Sequence, residues 1–402
     1  MSARREHFRQ TNRHRVKCRA LSLPKNTPVE VKIRMPSKPF FFGSDIGPNA
    51  SRRSDVALAN ALAERGAPVT IIAVHSKTLD PTLSPNLKIL RWPKPAWNRL
   101  RHILFFDQLT RQEHPVAIVA NFGAVNIMLL VGMLRRVPVR IAWHRTLSAQ
   151  YLADAKSPAW VIRLLIYRKR LFYKMATHLI ANSEAALNDL RDVFKVPSEK
   201  CVVFHNATPD PYSNPDSGLS GTPRDPHKIV CVGRMDRTKG QDILIQAVTL
   251  LKQRSSVAFE VDFIGDGVFR VECTRLAQTL EVADRCHFLG TLGNGEVIRR
   301  MAGAAMCIVP SRQEAFGYVN IEAMSVSTPV IGSRVGGIVE IIRDGIDGYL
   351  FPSEDAEALA DKIGRLLSDA DLREKMGADA RQHFLADFVL SAVAIRQAAW
   401  LE

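Results

Sequence analysis

The chain has 402 residues, 46% of them hydrophobic and 24% charged, and carries a net charge of +15. This length exceeds one typical core and suits two domains, and the composition excludes a chain that is disordered throughout. No uncharged apolar run reaches the roughly 20 residues of a membrane-spanning helix. The six cysteines are scattered without a C-x-x-C pair, which favours buried thiols in a reducing compartment over a disulfide frame or zinc site.

Residues 1–34 hold ten Lys/Arg against two Glu, so +8 of the charge sits there and +7 on the other 368 residues. The segment 1–37 has no helical or strand period and lacks the apolar core of a secretory signal. It reads as a disordered basic leader. It is a solvated extension, a tail that touches phosphates or membrane, or the product of an upstream start with Met35 as the true one. From residue 38 onward, apolar runs at 40–42, 69–74, 87–90, 116–120, 139–143 and 178–181 read as strands. Helical segments lie between them, such as 55–65, where Leu58 and Leu62 share a face. Strands that are apolar throughout are buried on both sides of a parallel sheet, and the alternation predicts a doubly wound α/β domain over 38–208.

Residues 209–226 contain five prolines and two glycines and read as a linker. The pattern then restarts over 227–385, with strand runs at 229–232, 261–264, 287–289, 307–309, 330–331 and 349–351. Thr238 and Gln241 fit a capping box, with Ile243, Ala247 and Leu251 on one stripe of the following helix. The fold class is therefore α/β, with two Rossmann-like doubly wound domains in series. Ligands of such sheets sit beyond the carboxyl ends of the strands, which here means an interdomain cleft.

The candidate chemistry follows strand ends. After 229–232, Gly233 opens a loop carrying Arg234 and Lys239, a guanidinium and an ammonium beside a helix start, which suits an anion. Gly265-Asp-Gly267 and Val335-Gly-Gly337 are further strand-then-glycine turns, the second open to close approach of a ligand to the backbone. After 307–309, Glu314 hangs at a loop mouth and Glu322 follows about one turn into a helix that begins near Gly317 or Tyr318. A carboxylate suits vicinal hydroxyls of a sugar or ribose ring. The N–H groups of Ala315, Phe316, Gly317 and Tyr318 suit phosphate between the two. Together these groups predict a grip on a nucleotide sugar; solvated surface charges are the plainer alternative.

The motifs Val232-Gly-Arg-Met-Asp-Arg-Thr-Lys-Gly240, Gly265-Asp-Gly267, Pro310-Ser-x-x-Glu-x-Phe-Gly317, Glu322-Ala-Met324, Val335-Gly-Gly337 and Asp344-Gly-x-x-Gly348 occur in this order. As a set they resemble the family 4 retaining glycosyltransferases of the GT-B fold, loosely over the first half of 38–402 and closely over the second. The resemblance implies that Arg234 and Lys239 bind the donor diphosphate and stabilise it as leaving group. It implies that Glu314 lies by the transferred sugar and that Glu322 binds the ribose hydroxyls. It also implies a catalytic role for His144, at a strand end facing the donor sugar, and a C-terminal helix over 386–402 packing back on the first domain. The family's first-domain Gly-Gly falls at Asn49-Ala50, so the acceptor-side loop with Gly47, Asn49 and Ala50 differs from the pattern. Ser327 stands where a glycine usually precedes the Pro-Val strand.

The implied activity is transfer of a hexose-type sugar from a UDP- or GDP-linked donor to a glycan, polysaccharide or lipid-linked hydroxyl, with retention and without a metal or other cofactor. The segments 92–106 and 160–174 mix aromatic, aliphatic and basic residues. They fit either an anionic membrane surface or buried helices with a solvated basic edge. The expected location is cytoplasmic, with peripheral seating on the inner face of the membrane left open. Alternatives are a GT-B nucleotide-sugar epimerase or hydrolase and a non-catalytic sugar-binding or nucleic-acid-binding protein. No nucleic acid is expected, because no nucleic-acid-binding motif accompanies the charge.

Overall fold

The computed structural model describes residues 38–44, 50–73, 83–93, 99–150, 158–219, 221–254 and 257–401. The 1–37 leader and most of the 44–50 loop, with Gly47 and Asn49, lie outside them. Two all-parallel sheets follow one another along the chain. The first holds β1 (Phe40–Gly43), β2 (Val69–Ala73), β3 (Leu87–Arg91), β4 (Ala117–Ala120), β5 (Val139–His144), β6 (His178–Ala181) and β7 (Cys201–Val203), in the order β3-β2-β1-β4-β5-β6-β7. Its helices are α1 (Ala50–Glu64), α2 (Arg99–Glu113), α3 (Val125–Leu134), α4 (Ala159–Lys174) and α5 (Glu184–Asp192). β1, β2 and β4 are buried along their whole length, which is why their sequences are apolar without alternation.

The second sheet holds β8 (Asp225–Val232), β9 (Glu260–Ile264), β10 (Cys286–Gly290), β11 (Ala304–Val309), β12 (Val330–Ser333) and β13 (Gly348–Phe351), in the order β10-β9-β8-β11-β12-β13. Around it lie α6 (Gln241–Arg254), α7 (Arg270–Thr279), α8 (Asn294–Ala302), α9 (Tyr318–Met324), α10 (Ile338–Ile341), α11 (Ala356–Ser368) and α12 (Ala370–Asp387). The capping box at Thr238 does not form. Asp236 instead caps a short turn at Arg237–Lys239, the Thr238 hydroxyl donates to Asp236, and Gln241 Nε2 donates back to the Arg234 carbonyl at 3.0 Å. A carboxylate two residues away is a stronger acceptor than the groups of the next turn.

β8 begins inside the proline-rich stretch 209–226, and Arg381 of α12 holds the rest of that stretch by a two-point pair with Asp210 at 2.9 and 2.8 Å. At Thr208 the chain pairs with Val389, and α13 (Leu390–Leu401) then crosses to the first domain. There Ala394, Ala398 and Leu401 join Leu58 and Leu62 of α1 in one core cluster, and the Trp400 ring meets Phe204 with centroids 5.1 Å apart. No described helix is long and apolar enough to cross a membrane.

Ser327, between α9 and β12, has φ 59°. The left-handed region crowds a Cβ, and a helix that ends this way normally uses glycine. The turn is fixed regardless, since Thr328 N donates to Ala323 O at 3.0 Å and Arg224 donates to the Ser327 carbonyl at 2.8 Å. Ser327→Gly is expected to stabilise the fold by an amount on the order of 1 kcal/mol, read as a higher thermal midpoint; an unchanged or lower midpoint in differential scanning fluorimetry would show that the serine is not strained.

Candidate functional site

The order of the second sheet reverses between β8 and β11, and the loops leaving these strands meet there as ligand-binding loops do at a switch point. Glycines let them touch backbone to backbone. A Cβ on Gly240 would fall 2.0 Å from the Pro310 carbonyl oxygen, and one on Gly336 would fall 1.8 Å from that of Glu314. The Val335-Gly-Gly337 turn thus admits the protein's own loop, and Gly337 N donates to Glu314 O at 3.1 Å. Gly265 serves the same end on the other side. It lies against the Gly233 carbonyl, while Gly233 N donates to Ile264 O at 2.9 Å and Met235 N to Asp266 O at 2.9 Å.

This packing brings Lys239 Nζ to 2.5 Å from Glu314 Oε2, across 75 positions of sequence. Both side chains are largely enclosed, at 23% and 14% exposure. Arg234 shares the loop of Lys239 but leans outward, 60% exposed, with Nε 2.5 Å from Asp236. Arg312 braces the arrangement. Its backbone N donates to Thr238 O at 2.8 Å, and its guanidinium holds Asp242 at 2.8 Å and Glu354 at 2.5 Å.

α9 starts at Gly317, whose φ of 99° turns the loop into the helix. Ile321 and Met324 enter the core, while Tyr318 and Glu322, one turn apart, face the first domain. The Tyr318 hydroxyl lies against Ser54 near Arg145, and burial pushes its pKa up to about 12. Glu322 is 8% exposed and within electrostatic reach of Arg53 on α1. Ala315 and Phe316 are buried in the contact between the domains. Ser183 Oγ donates to Ala315 O at 2.5 Å, and the Phe316 ring lies 5.8 Å from that of His205. Any contact of Phe316 with a ligand would therefore run through its backbone. A second tie is made by Glu340 of α10, which accepts from the amides of Glu184 and Ala185 at 2.9 and 3.2 Å and from His205 Nε2 at 3.0 Å.

The first domain presents its own switch point, between β1 and β4. There Arg145, one residue beyond β5, forms a buried ion pair with Asp55 of α1; Ser44 Oγ donates to Asp55 at 2.5 Å and Arg145 to Asn206 at 3.1 Å. Asn121 Nδ2, Asn182 Oδ1, Arg53 Nε and Gln313 Oε1 are shut off from solvent with no hydrogen-bond partner among the described residues. His144 ends β5 at this edge, but its ring is not open to solvent. Its ring is buried under α4 and α5, with Nδ1 3.0 Å from the Tyr173 hydroxyl and Nε2 3.0 Å from Asp189, and burial lowers its pKa. With both nitrogens engaged it serves packing in this conformation, and the neighbouring Arg145 takes the position facing the cleft. Arg145 and Asp55 were not singled out from sequence. The available signal was a cation directly after a buried strand; Asp55 lies in the second turn of α1, where nothing in the local pattern marks it. Ala50 is the first residue of α1.

Residues 216–383 match the family model of glycosyl transferases group 1, and residues 53–207 match that of a glycosyl transferase 4-like domain. The D-inositol 3-phosphate glycosyltransferase of Corynebacterium urealyticum is 31% identical over 220 residues, 51% of this chain and 52% of that protein. That of Actinosynnema mirum is 27% identical over 369 residues, 82% of this chain and 86% of that protein. The matches to the first three relatives span about half of those proteins' length. Sucrose-phosphate synthase from Thermosynechococcus elongatus superposes with a TM-score of 0.71 at 23% identity, over 90% of this chain and 97% of its own. Anabaena HepE in complex with UDP-glucose does so with 0.68 at 18% identity, over 90% and 98%.

Burial raises the Glu322 carboxyl from the ordinary 4.5 to about 7, with Arg53 opposing the rise. Folding then favours the protonated form. The stability linked to this group is fully present below about 4.5 and is lost as pH rises through about 7. Glu322→Gln should therefore match the parent chain near pH 4.5 and exceed it at pH 8, by about 3 kcal/mol for a shift of this size. A stability difference that does not widen between those pH values in urea unfolding would contradict the burial of the charge.

Proposed function

The chain belongs to the group 1 glycosyl transferases, and we propose that it moves a hexose from a nucleoside-diphosphate donor to an acceptor hydroxyl. The observation that carries this reading is the Lys239–Glu314 pair, a cation and a carboxylate held 2.5 Å apart at the switch point of the second sheet. In this reading the diphosphate competes for Lys239. The ammonium turns to the phosphate, and the released carboxylate accepts hydrogen bonds from the sugar hydroxyls. Arg234, exposed on the same loop, leaves Asp236 to form the second phosphate contact.

The bond from the anomeric carbon to the β-phosphate oxygen breaks, and its electron pair stays on the diphosphate. Arg234, Lys239 and the amides of the 315–318 turn stabilise that charge in a cleft from which water is excluded. No metal is required for this step. The acceptor oxygen forms the new bond and its proton passes to the departing β-phosphate oxygen; retention rests on the family resemblance. Glu322, with Arg53 opposite, is assigned to the ribose, and Arg145 with Asp55 fixes the acceptor side. The relatives' names make a phosphorylated polyol a sensible first acceptor to try, beside glycans and lipid-linked hydroxyls.

Thermal shift with UDP, GDP and ADP, each without metal, tests the donor site. One nucleotide at a hundredfold its Kd should stabilise by about 2.7 kcal/mol. Lys239→Ala should abolish that shift, while Glu314→Gln should keep it and lose sugar transfer. If no nucleotide stabilises the chain, or if Lys239→Ala leaves the shift intact, the assignment fails.

A further inference from the structure

α4 has two apolar faces. Ile162 and Tyr173 are buried against the first domain. On the opposite side Trp160, Leu164, Tyr167 and Leu171 stand in solvent at 67%, 57%, 56% and 41% exposure. Their spacing of four, three and four residues puts them on one stripe of the helix. Arg163 and Lys174 flank that stripe on one side and Arg168 on the other, and residues 158–175 contain no Asp or Glu. The neighbouring helices repeat the mixture more weakly, with Leu134 beside Arg135 and Arg136 at the end of α3, and Leu100 and Leu104 exposed on α2. The 92–106 segment differs from α4, because its Trp92 and Phe106 are core residues.

We propose that the α4 stripe seats the first domain on an anionic lipid bilayer, with the helix lying in the plane of the interface. A solvent-facing apolar stripe gains nothing from packing within the chain. Trp and Tyr at its ends suit the headgroup boundary, and flanking cations without acidic neighbours suit anionic lipid. A second copy of the chain is the poorer partner. A two-fold contact through this face would bring the flanking Arg163, Arg168 and Lys174 of the two copies together, with no carboxylate on the helix to meet them. The net charge of +15 adds attraction at longer range to an anionic surface. The proposal names a partner for the first domain and does not rest on the donor-site reading.

Sedimentation of the full chain with vesicles of phosphatidylcholine, with and without phosphatidylglycerol, tests it. The chain should partition onto the anionic vesicles. Each cation removed by Arg163→Ala or Arg168→Ala should lower the partition coefficient about fivefold. Leu164→Asp with Leu171→Asp should abolish insertion, read as loss of the vesicle-dependent blue shift of Trp160, which Trp160→Phe identifies. These positions are exposed, so thermal midpoints should stay at the parent value. The proposal is overturned if the parent chain ignores anionic vesicles. It is equally overturned if the double aspartate variant binds as well as the parent, which would assign binding to other basic residues. A dimer seen in sedimentation velocity and lost in that variant would assign the stripe to self-association instead.

Discussion

Backbone-to-backbone contact at the carboxyl edge of the second sheet is the constraint from which the site follows. The Glu314 carbonyl presses where a Cβ of Gly336 would be, and the Pro310 carbonyl where one of Gly240 would be. Any side chain at either glycine would clash with the opposing carbonyl and force the two loops apart. With glycine there, the loops after β8, β11 and β12 lock together, and Lys239 meets Glu314 as a result. The ion pair is a product of this packing: Arg312 and Asp236 hold the loops in register.

The cleft has a different electrostatic character on its two walls. The first-domain wall is locked, since Arg145 and Asp55 are buried and hold Ser44 and Asn206 around them. Removing one member of such a pair leaves an uncompensated charge, so this wall resists rearrangement. The second-domain wall is adaptable, with Arg234 largely in solvent and Lys239 held by a single carboxylate. Glu322 and Tyr318 stand between the two walls, placed by one face of a seven-residue helix.

Much of this was legible in the sequence, for reasons particular to each element. The twelve strand runs stood out because parallel strands buried in a sheet are rich in apolar residues, with at most a single polar side chain inside a run such as Thr70, Lys88, Arg140 or Asp262. β7 did not, because its three residues at the sheet edge, with only Val202 buried, supply too short a run. Glycine positions were legible as sites of close approach, but not what approaches them; Gly336 and Gly337 receive the Glu314 loop. Thr238 looked like a helix cap, and Asp236 outcompetes it. His144 and Arg145 are adjacent, and local pattern cannot decide which faces the cleft; the Tyr173 and Asp189 partners of His144 lie 29 and 45 positions away. The Arg53–Glu322 and Arg145–Asp55 encounters depend on the tertiary fold and leave no local trace.

The return of α13 to the first domain has a consequence for the order in which the protein can assemble during synthesis. α1 is made early, yet the apolar surface of Leu58 and Leu62 is covered in part by Ala398 and Leu401. That surface stays open while the whole second domain is being translated, until Leu401 has left the ribosome. The first domain therefore emerges as an incomplete core, and that surface must be shielded while the intervening second domain is made. Completion of the two halves is thereby made a single late event, triggered by a twelve-residue helix that belongs to one domain by sequence and to the other by packing.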